Sequence, residues 1–376
     1  MKVVHIITGL GDGGAEHALF KICKYDLKNK HFVISLKDKG KYFSLLNKLG
    51  IKVYCLNVSV FSIYKFLFLI KLLRSLKPDI VQTWLVHADF IGSFAARLAG
   101  IKKILWNVRY SNIEIGKAKL TTIIIIKILS ILSYLIPKSI LTVSKNAETI
   151  FKLKGYNKKI FKFIPNGYDL SILRISKKQK INFKKKNKLK NNVPLIGKVA
   201  RYDPQKDHLN LLNALSIIKL KNINFFCVLV GFNINKNNIN LISKIKRLNL
   251  SNHVKLLGQS DNISLIMNGI DLHVLSSSYG EGFPNVVAES MACGTPSVVT
   301  DVGDSAFVVG KTGWIVPPKN SIKLAEAIES ALSERGNIKW NKRCKEVRLR
   351  VKKNFSIGNM IDLYNKNWIK VYKSNI

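Results

Sequence analysis

Along the chain, short apolar runs alternate with longer stretches in which apolar residues return every third or fourth position. The first kind suits strands buried on both faces and the second suits helices laid over them, so the alternation predicts a parallel α/β fold. Before residue 166 the strand candidates are Val3–Ile7, Phe32–Leu36, Val53–Leu56, Ile80–Thr83, Ile104–Trp106, Ile140–Val143 and Phe161–Ile164. Helices between them include Ala15–Tyr25, Phe61–Leu76 and Ala88–Ala99. Asn166-Gly167 punctuates the pattern, and a second alternation follows with strands Leu195–Ala200, Phe225–Val230, Val254–Leu257, Leu272–Leu275 and Ser297–Val299. Its helices include His208–Lys219, Ile239–Leu248 and Ile322–Leu332. A last amphipathic segment, Met360–Tyr372, sets Ile361, Tyr364, Trp368 and Tyr372 near one face. The expectation is two Rossmann-like domains with parallel sheets facing a central cleft. Their bounds are 1–170 and 193–355, joined by a basic linker or exposed loop at 171–192. The helix at 356–376 is expected to pack back toward the first domain.

Charge changes the picture. The chain of 376 residues carries 62 Lys+Arg against 22 Asp+Glu, a net charge of +40. Such an excess calls for an anionic partner: nucleic acid, an acidic membrane surface or a phosphorylated ligand. Most of it lies in the first half. Residues 1–190 hold 37 basic and 9 acidic side chains, and Arg174 to Lys190 alone contributes nine cations and no acid. Nucleic acid is disfavoured, because no binding module is recognisable and the cations are not interleaved with exposed aromatic residues. The five cysteines are scattered without a Cys-x-x-Cys pair, which argues for a reducing compartment and against a structural zinc site. Met1 to Ile7 reads as a first strand and not a cleaved leader. The longest apolar run, Leu120 to Pro137, is interrupted by Lys127 and too short to span a bilayer. A cytoplasmic protein is expected, with a peripheral position at the inner face of the plasma membrane left open by the apolar faces of Phe61–Leu76 and Leu120–Tyr134.

Four segments could carry chemistry. The strongest is Ser278-Tyr-Gly-Glu281-Gly282-Phe283-Pro284-Asn285-Val-Val-Ala-Glu289-Ser-Met-Ala-Cys-Gly294-Thr-Pro296, which follows the strand candidate Leu272–Leu275. It sets one carboxylate on a glycine-flanked loop and a second on a helix, with free N–H groups of a helix N-terminus between them. Pro284 suits the first helical position and Gly294 the stop. The second segment is Arg201-Tyr-Asp-Pro-Gln-Lys206-Asp207-His208, beyond the strand Leu195–Ala200, where open α/β sheets bind ligands. There a guanidinium can grip a diphosphate bidentately and an ammonium can add a mobile charge, while Asp207 reads as a helix cap. The third is Thr8-Gly9-Leu-Gly11-Asp-Gly13-Gly14-Ala-Glu16, a glycine-rich strand-to-helix turn that lacks the dinucleotide spacing. The fourth comprises His87 and the Arg109-Tyr110 pair, which follow two further strand candidates.

Together these segments resemble family 4 of the glycosyltransferases, retaining enzymes of GT-B fold, over nearly the whole chain. The resemblance rests on Gly9–Glu16, Val143-Ser144-Lys145, Ile164-Pro-Asn166-Gly167, Arg201 with Lys206-Asp-His208, and above all Glu281-x7-Glu289 with Gly294-Thr-Pro296. The stretches 81–100 and 106–112 look like members that build bacterial surface polysaccharide such as O-antigen or capsule. The resemblance implies an acceptor-side first domain and a second domain holding a nucleotide-diphosphate-sugar, most often a UDP-sugar, with a lipid-linked saccharide as acceptor. Arg201 and Lys206 would neutralise the diphosphate, Glu289 would bind the ribose, and Glu281 would contact the transferred sugar. Gly282, Phe283 and Asn285 would help through main-chain N–H groups, and Gly13 and Gly14 would meet the donor. No metal or other cofactor is implied. Members often carry a histidine where this chain reads Val108-Arg109-Tyr110, so Tyr110 or His87 would serve in its place. Gly-Phe-Pro-Asn also replaces the common Gly-Phe-Gly, which removes one N–H. A nucleotide-sugar isomerase or hydrolase of the same fold is the rival reading.

Overall fold

The computed structural model describes residues 1–57, 63–109 and 120–374, so the start of the expected helix Phe61–Leu76 and Tyr110 lie outside it. The chain divides into two compact units, Met1–Gly167 with Ile357–Ile376, and Tyr168–Ser356.

In the first unit the strands are β1 (Lys2–Ile7), β2 (Lys30–Ser35), β3 (Lys52–Cys55), β4 (Ile80–Trp84), β5 (Ile104–Val108), β6 (Ser139–Thr142) and β7 (Phe161–Phe163). They form one parallel sheet in the order β3-β2-β1-β4-β5-β6-β7. β4, β5 and β6 are buried at every residue, as continuous apolar runs require of a sheet covered on both faces. The helix Ile357–Lys373 belongs to this unit although it ends the described chain. Its Trp368, fully buried, donates from Nε1 to Gln82 Oε1 at 2.7 Å, and Tyr364 accepts from Asn107 Nδ2 at 2.8 Å. Val371 takes the inward place expected for Tyr372, which is 43% exposed.

In the second unit the strands are β8 (Leu195–Val199), β9 (Phe226–Val230), β10 (Val254–Leu256), β11 (Leu272–Leu275), β12 (Ser297–Thr300) and β13 (Trp314–Val316). The sheet is parallel, in the order β10-β9-β8-β11-β12-β13. β13 was not expected. It is a three-residue edge strand with Ile315 turned to solvent, too short to show a period.

The basic tract is the main correction. Residues 171–192 are mostly exposed, as expected, but are not a plain loop, because they hold the helix Lys177–Lys186, capped by Ser176 Oγ, which accepts from Gln179 N. Phe183 is buried on Gly269 so closely that a Cβ there would lie 2.2 Å from its ring. Lys180 reaches Asp271 at 2.5 Å, with Lys184 at 3.9 Å and Arg335 at 3.5 Å from the same carboxylate. One buried acid therefore gathers three cations, two of them from the tract, and it lies some ninety residues beyond that helix. Local charge counting has no means of seeing such a partner.

Candidate functional site

β8 and β11 are neighbours, yet β9 and β12, the strands that follow each, lie on opposite sides of them. This is the switch point of the sheet, where the loops leaving the two strands part and open a crevice. After β8 a 3-10 turn, Pro204–Lys206, is held by Asp203, whose Oδ1 accepts from Gln205 N at 2.9 Å. Asp207, in the left-handed region at φ 43°, then caps the helix His208–Leu220 by accepting from Asn210 N at 3.0 Å. After β11 comes the loop Ser276–Pro284. The two loops are laced together: Ser278 N donates to Gln205 O at 2.9 Å, and Gln205 Nε2 donates to Gly280 O at 2.8 Å.

On that frame Lys206 Nζ meets Glu281 Oε1 at 2.5 Å, with the two side chains 17% and 9% exposed. Ser277 Oγ donates to the same oxygen at 2.6 Å. Oε1 is thus engaged twice, while Oε2 makes no hydrogen bond among the described residues and keeps its capacity to accept one. Arg201 is more open, its side chain 55% exposed, and donates from Nε to Asp203 Oδ2 at 3.1 Å and from Nη2 to Gln205 Oε1 at 3.3 Å. The helix Asn285–Ala292 follows at once, with Pro284 at its cap and not, as expected, inside its first turn. Phe283 is buried beside Tyr168, whose hydroxyl donates to Asn285 Oδ1 at 2.6 Å. Glu289 stands half-buried one turn further along the helix. Glu281, Lys206 and Arg201 therefore share one loop pair with Gly282 and Phe283, and Asn285 and Glu289 extend it along one helix.

Four members of this constellation were not anticipated. Ser277 is the hydroxyl that shares Glu281, and nothing in a serine-rich run distinguishes it. Gly303 lies at φ 59°, and a Cβ there would fall 1.9 Å from Glu281 O, so only glycine fits behind the loop. Asp304 N closes the same contact by donating to Gly282 O at 3.0 Å. Lys198 is fully buried in β8, where Nζ donates to Ser276 Oγ at 2.5 Å and to Lys206 O. Burial, and then the Lys206 charge, lower its pKa to about 7. A lysine within the run Leu195-Ile-Gly-Lys-Val was the legible signal.

The first unit has its own switch point between β1 and β4. Gly13 caps the helix Gly14–Tyr25, and Glu16 folds over it so that a Cβ on Gly13 would lie 2.4 Å from its Oε2. Among the described residues, nothing beyond its own neighbours in the chain lies within 4 Å of a Cβ placed on Gly14. His87 sits in the first turn of the helix Val86–Leu98, after Leu85 at φ 73°, a strained conformation for a leucine. Arg109 is held inside the unit: Nη1 donates to Asn166 Oδ1 at 2.9 Å, Nε to Asn107 Oδ1 and Nη2 to Tyr364 OH, both at 3.3 Å, and Trp84 lies 5.2 Å beneath. Its hydrogen-bonding edges are thus turned to the unit's own frame.

His5, Cys23 and His31 form the one group of potential metal ligands among the described residues. Their nitrogens are already engaged in a buried chain, in which Trp84 Nε1 donates to His5 Nδ1, His5 Nε2 lies 3.0 Å from His31 Nδ1, and His31 Nε2 lies 3.2 Å from Asp26. Burial pushes the Cys23 thiol well up, which opposes the thiolate a metal would need. That chain reads as a structural relay.

Residues 179–352, which contain the loop pair and its helix, match the family described as Glycosyl transferases group 1. The chain is 28% identical over 298 residues to the UDP-Gal:alpha-D-GlcNAc-diphosphoundecaprenol alpha-1,3-galactosyltransferase of Escherichia coli, covering 75% of each chain. It is 27% identical over 347 residues to the N-acetylgalactosamine-N,N'-diacetylbacillosaminyl-diphospho-undecaprenol 4-alpha-N-acetylgalactosaminyltransferase of Campylobacter jejuni, covering 89% of this chain and 90% of that one. Among solved structures, HepE of Anabaena in complex with UDP superimposes with a TM-score of 0.87 at 21% identity, covering 98% of this chain and 100% of HepE. That likeness shows the fold: two parallel-sheet Rossmann-like domains of the GT-B kind.

Proposed function

We propose that the chain, a glycosyltransferase by its matched segment and by its relatives of similar length, moves a sugar from a UDP-sugar to a hydroxyl of a lipid-linked glycan in bacterial surface polysaccharide synthesis. The observation that carries this reading is the Lys206–Glu281 pair at the switch point, followed directly by a helix N-terminus. In this account Arg201, Lys206 and the helix N-terminus take the charge of the diphosphate, with no metal or other cofactor. Glu281, its Oε1 fixed by Lys206 and Ser277, offers Oε2 to the hydroxyls of the transferred sugar and acts by positioning. Glu289 takes the ribose. Gly13 and Gly14 are assigned to the donor, and His87 to the sugar or acceptor. The bond from the anomeric carbon to the diphosphate oxygen breaks and a bond to the acceptor oxygen forms on the same face. The departing phosphate oxygen accepts the acceptor's proton, so configuration is retained and no protein nucleophile is needed. UDP and undecaprenyl-linked saccharides are named for the similar proteins, and support these choices of donor and acceptor.

Replacing Lys206 or Glu281 by alanine should nearly abolish transfer in a folded protein, and near-normal rates in either variant would sink the assignment. Incubation with UDP-sugar alone separates the rival reading, since an isomerase or hydrolase turns over without acceptor and a transferase only slowly.

A lipid-linked acceptor places the reaction at a membrane, and the first unit has a surface suited to one. The helices Ile63–Leu76, Val86–Leu98 and Leu120–Leu132 pack side by side, and none is long and apolar enough to cross a bilayer. They expose Tyr64 (83%), Leu67, Phe68, Leu98, Leu120 and Ile131. Lys71, Arg74 and Lys127 are exposed among them, and the only acid on the three helices, Asp89, is buried. An apolar face rimmed by cations and, among the described residues of these helices, free of exposed carboxylates fits the headgroup region of an anionic bilayer. The protein should float with phosphatidylglycerol vesicles more than with phosphatidylcholine, and changing Tyr64, Leu67 and Phe68 to serine should release it. Dimerisation through this face without vesicle binding would overturn the proposal.

A further inference from the structure

A lysine in the middle of a central strand needs a reason. Lys198 pairs in register with Leu229 of β9, and every residue of β8 is buried. No carboxylate lies within 4 Å of its amine among the described residues, so no ion pair accounts for it. Nζ donates to two acceptors, Ser276 Oγ and Lys206 O, and Ser276 Oγ passes the chain on to Asp207 O at 2.8 Å. Two acceptors match the two N–H bonds of a neutral amine, whereas an ammonium would bring a third. The amine thus hangs directly beneath Lys206, tied to its carbonyl, and braces the ends of both site loops.

The charged groups around it are few. Lys206 and Asp207 face it from the end of the β8 loop, and Glu281 faces it from the β11 loop. His208, at the start of its helix, and His273, in β11, are lowered by burial to about 2 and about 3, and Cys227 in β9 is raised to about 12. These three stay neutral from mildly acid to mildly alkaline solution. Lys198, lowered by its burial and by Lys206, is poised near neutrality.

We propose that Lys198 is a proton-accepting positioning residue of the donor site, its buried amine taking up one proton from solvent when a nucleoside diphosphate settles on Lys206 and Arg201 and releasing it when the diphosphate leaves. The proposal rests on the reading of that loop pair as a diphosphate site. The physical cause is that, after burial, the nearest obstacle to an ammonium at Lys198 is the Lys206 charge, which an incoming diphosphate offsets with negative charge of its own. In the balanced step the amine lone pair of Lys198 forms an N–H bond with a buffer proton, and no covalent bond of the ligand changes. By linkage, the ligand then binds more tightly as pH falls, because the proton and the diphosphate favour one another.

Titration calorimetry of UDP into the full chain at pH 7.5 to 9, in buffers of differing ionisation heat, tests this. Over that range the terminal phosphate of UDP is already ionised, its last pKa being about 6 by analogy with phosphorylated hydroxyls, so the proton does not go to that phosphate. Wild type should take up a sizeable fraction of one proton per UDP, and its affinity should weaken by up to about tenfold per pH unit. Lys198→Met, with its folding checked by circular dichroism, should bind UDP without uptake and with a flat pH profile. UDP binding to wild type with no proton uptake, or uptake that persists in the methionine variant, would overturn the role of Lys198. Absence of UDP binding to folded wild type would instead overturn the diphosphate site itself, and this inference with it.

Discussion

Substituting Gly303 by alanine probes the site from behind, by pressing on the Glu281 main chain and not on its carboxylate. The residue lies at φ 59°, where an L side chain costs roughly 1–2 kcal/mol. Its new Cβ would stand 1.9 Å from Glu281 O, 2.6 Å from the carbonyl carbon and 3.1 Å from Gly282 O. A carbon and a carbonyl oxygen rest about 3.3 Å apart, so the Glu281 peptide must retreat by more than about 1 Å. The obstacle is main chain, tied in place by Asp304 N on Gly282 O, and no side chain can swing aside. Overpacking of this kind adds about 1–3 kcal/mol, for a combined loss near 2–5 kcal/mol. Because Glu281 moves with its peptide away from Lys206 and Ser277, kcat/KM should fall by about a hundredfold, the usual consequence of an ångström of misplacement. The assay is transfer from a UDP-sugar, beside urea unfolding followed by circular dichroism. A variant with wild-type kcat/KM and an unchanged urea midpoint would refute the claim that this glycine sets the Glu281 loop.

Two further outcomes are expected. Trp368→Ala removes a fully buried side chain and orphans Gln82 Oε1, which should cost about 3–5 kcal/mol and fall on the first unit. Amide exchange checks this: β1 and β4 should lose protection while β8 and β11 keep theirs, and equal loss in both sheets would contradict the division of the chain. Acid should also destabilise the fold, since His5, His208 and His273 all have native pKa values depressed by burial. Below their ordinary value near 6.5 the unfolded chain binds these protons first, so stability is intact above that pH and falls beneath it. The loss reaches about 1.4 kcal/mol per pH unit for each histidine. A urea midpoint that stays constant from pH 7.5 to 5.5 would refute it, and His5→Gln should shallow the slope.

The sequence by itself determined most of the elements and marked the candidate loops. Apolar runs mark twelve of the thirteen strands to within a few residues, because a strand covered on both faces must be apolar throughout. Glu281, Lys206 and Arg201 stand out because each follows such a run and so falls at the ligand-binding end of a sheet. What the tertiary structure decided is which of these groups meet. Lys206 and Glu281 are 75 residues apart, and they pair only because β8 and β11 are adjacent at the switch point. Other packing brings Gly303 behind the Glu281 loop, ties Arg109 to Asn166 and Tyr364 within the first unit, and anchors a helix of lysines on Asp271. Periodicity is a local property of the chain and survives in the sequence. Pairing between distant side chains is fixed by strand order and packing, which no local pattern encodes.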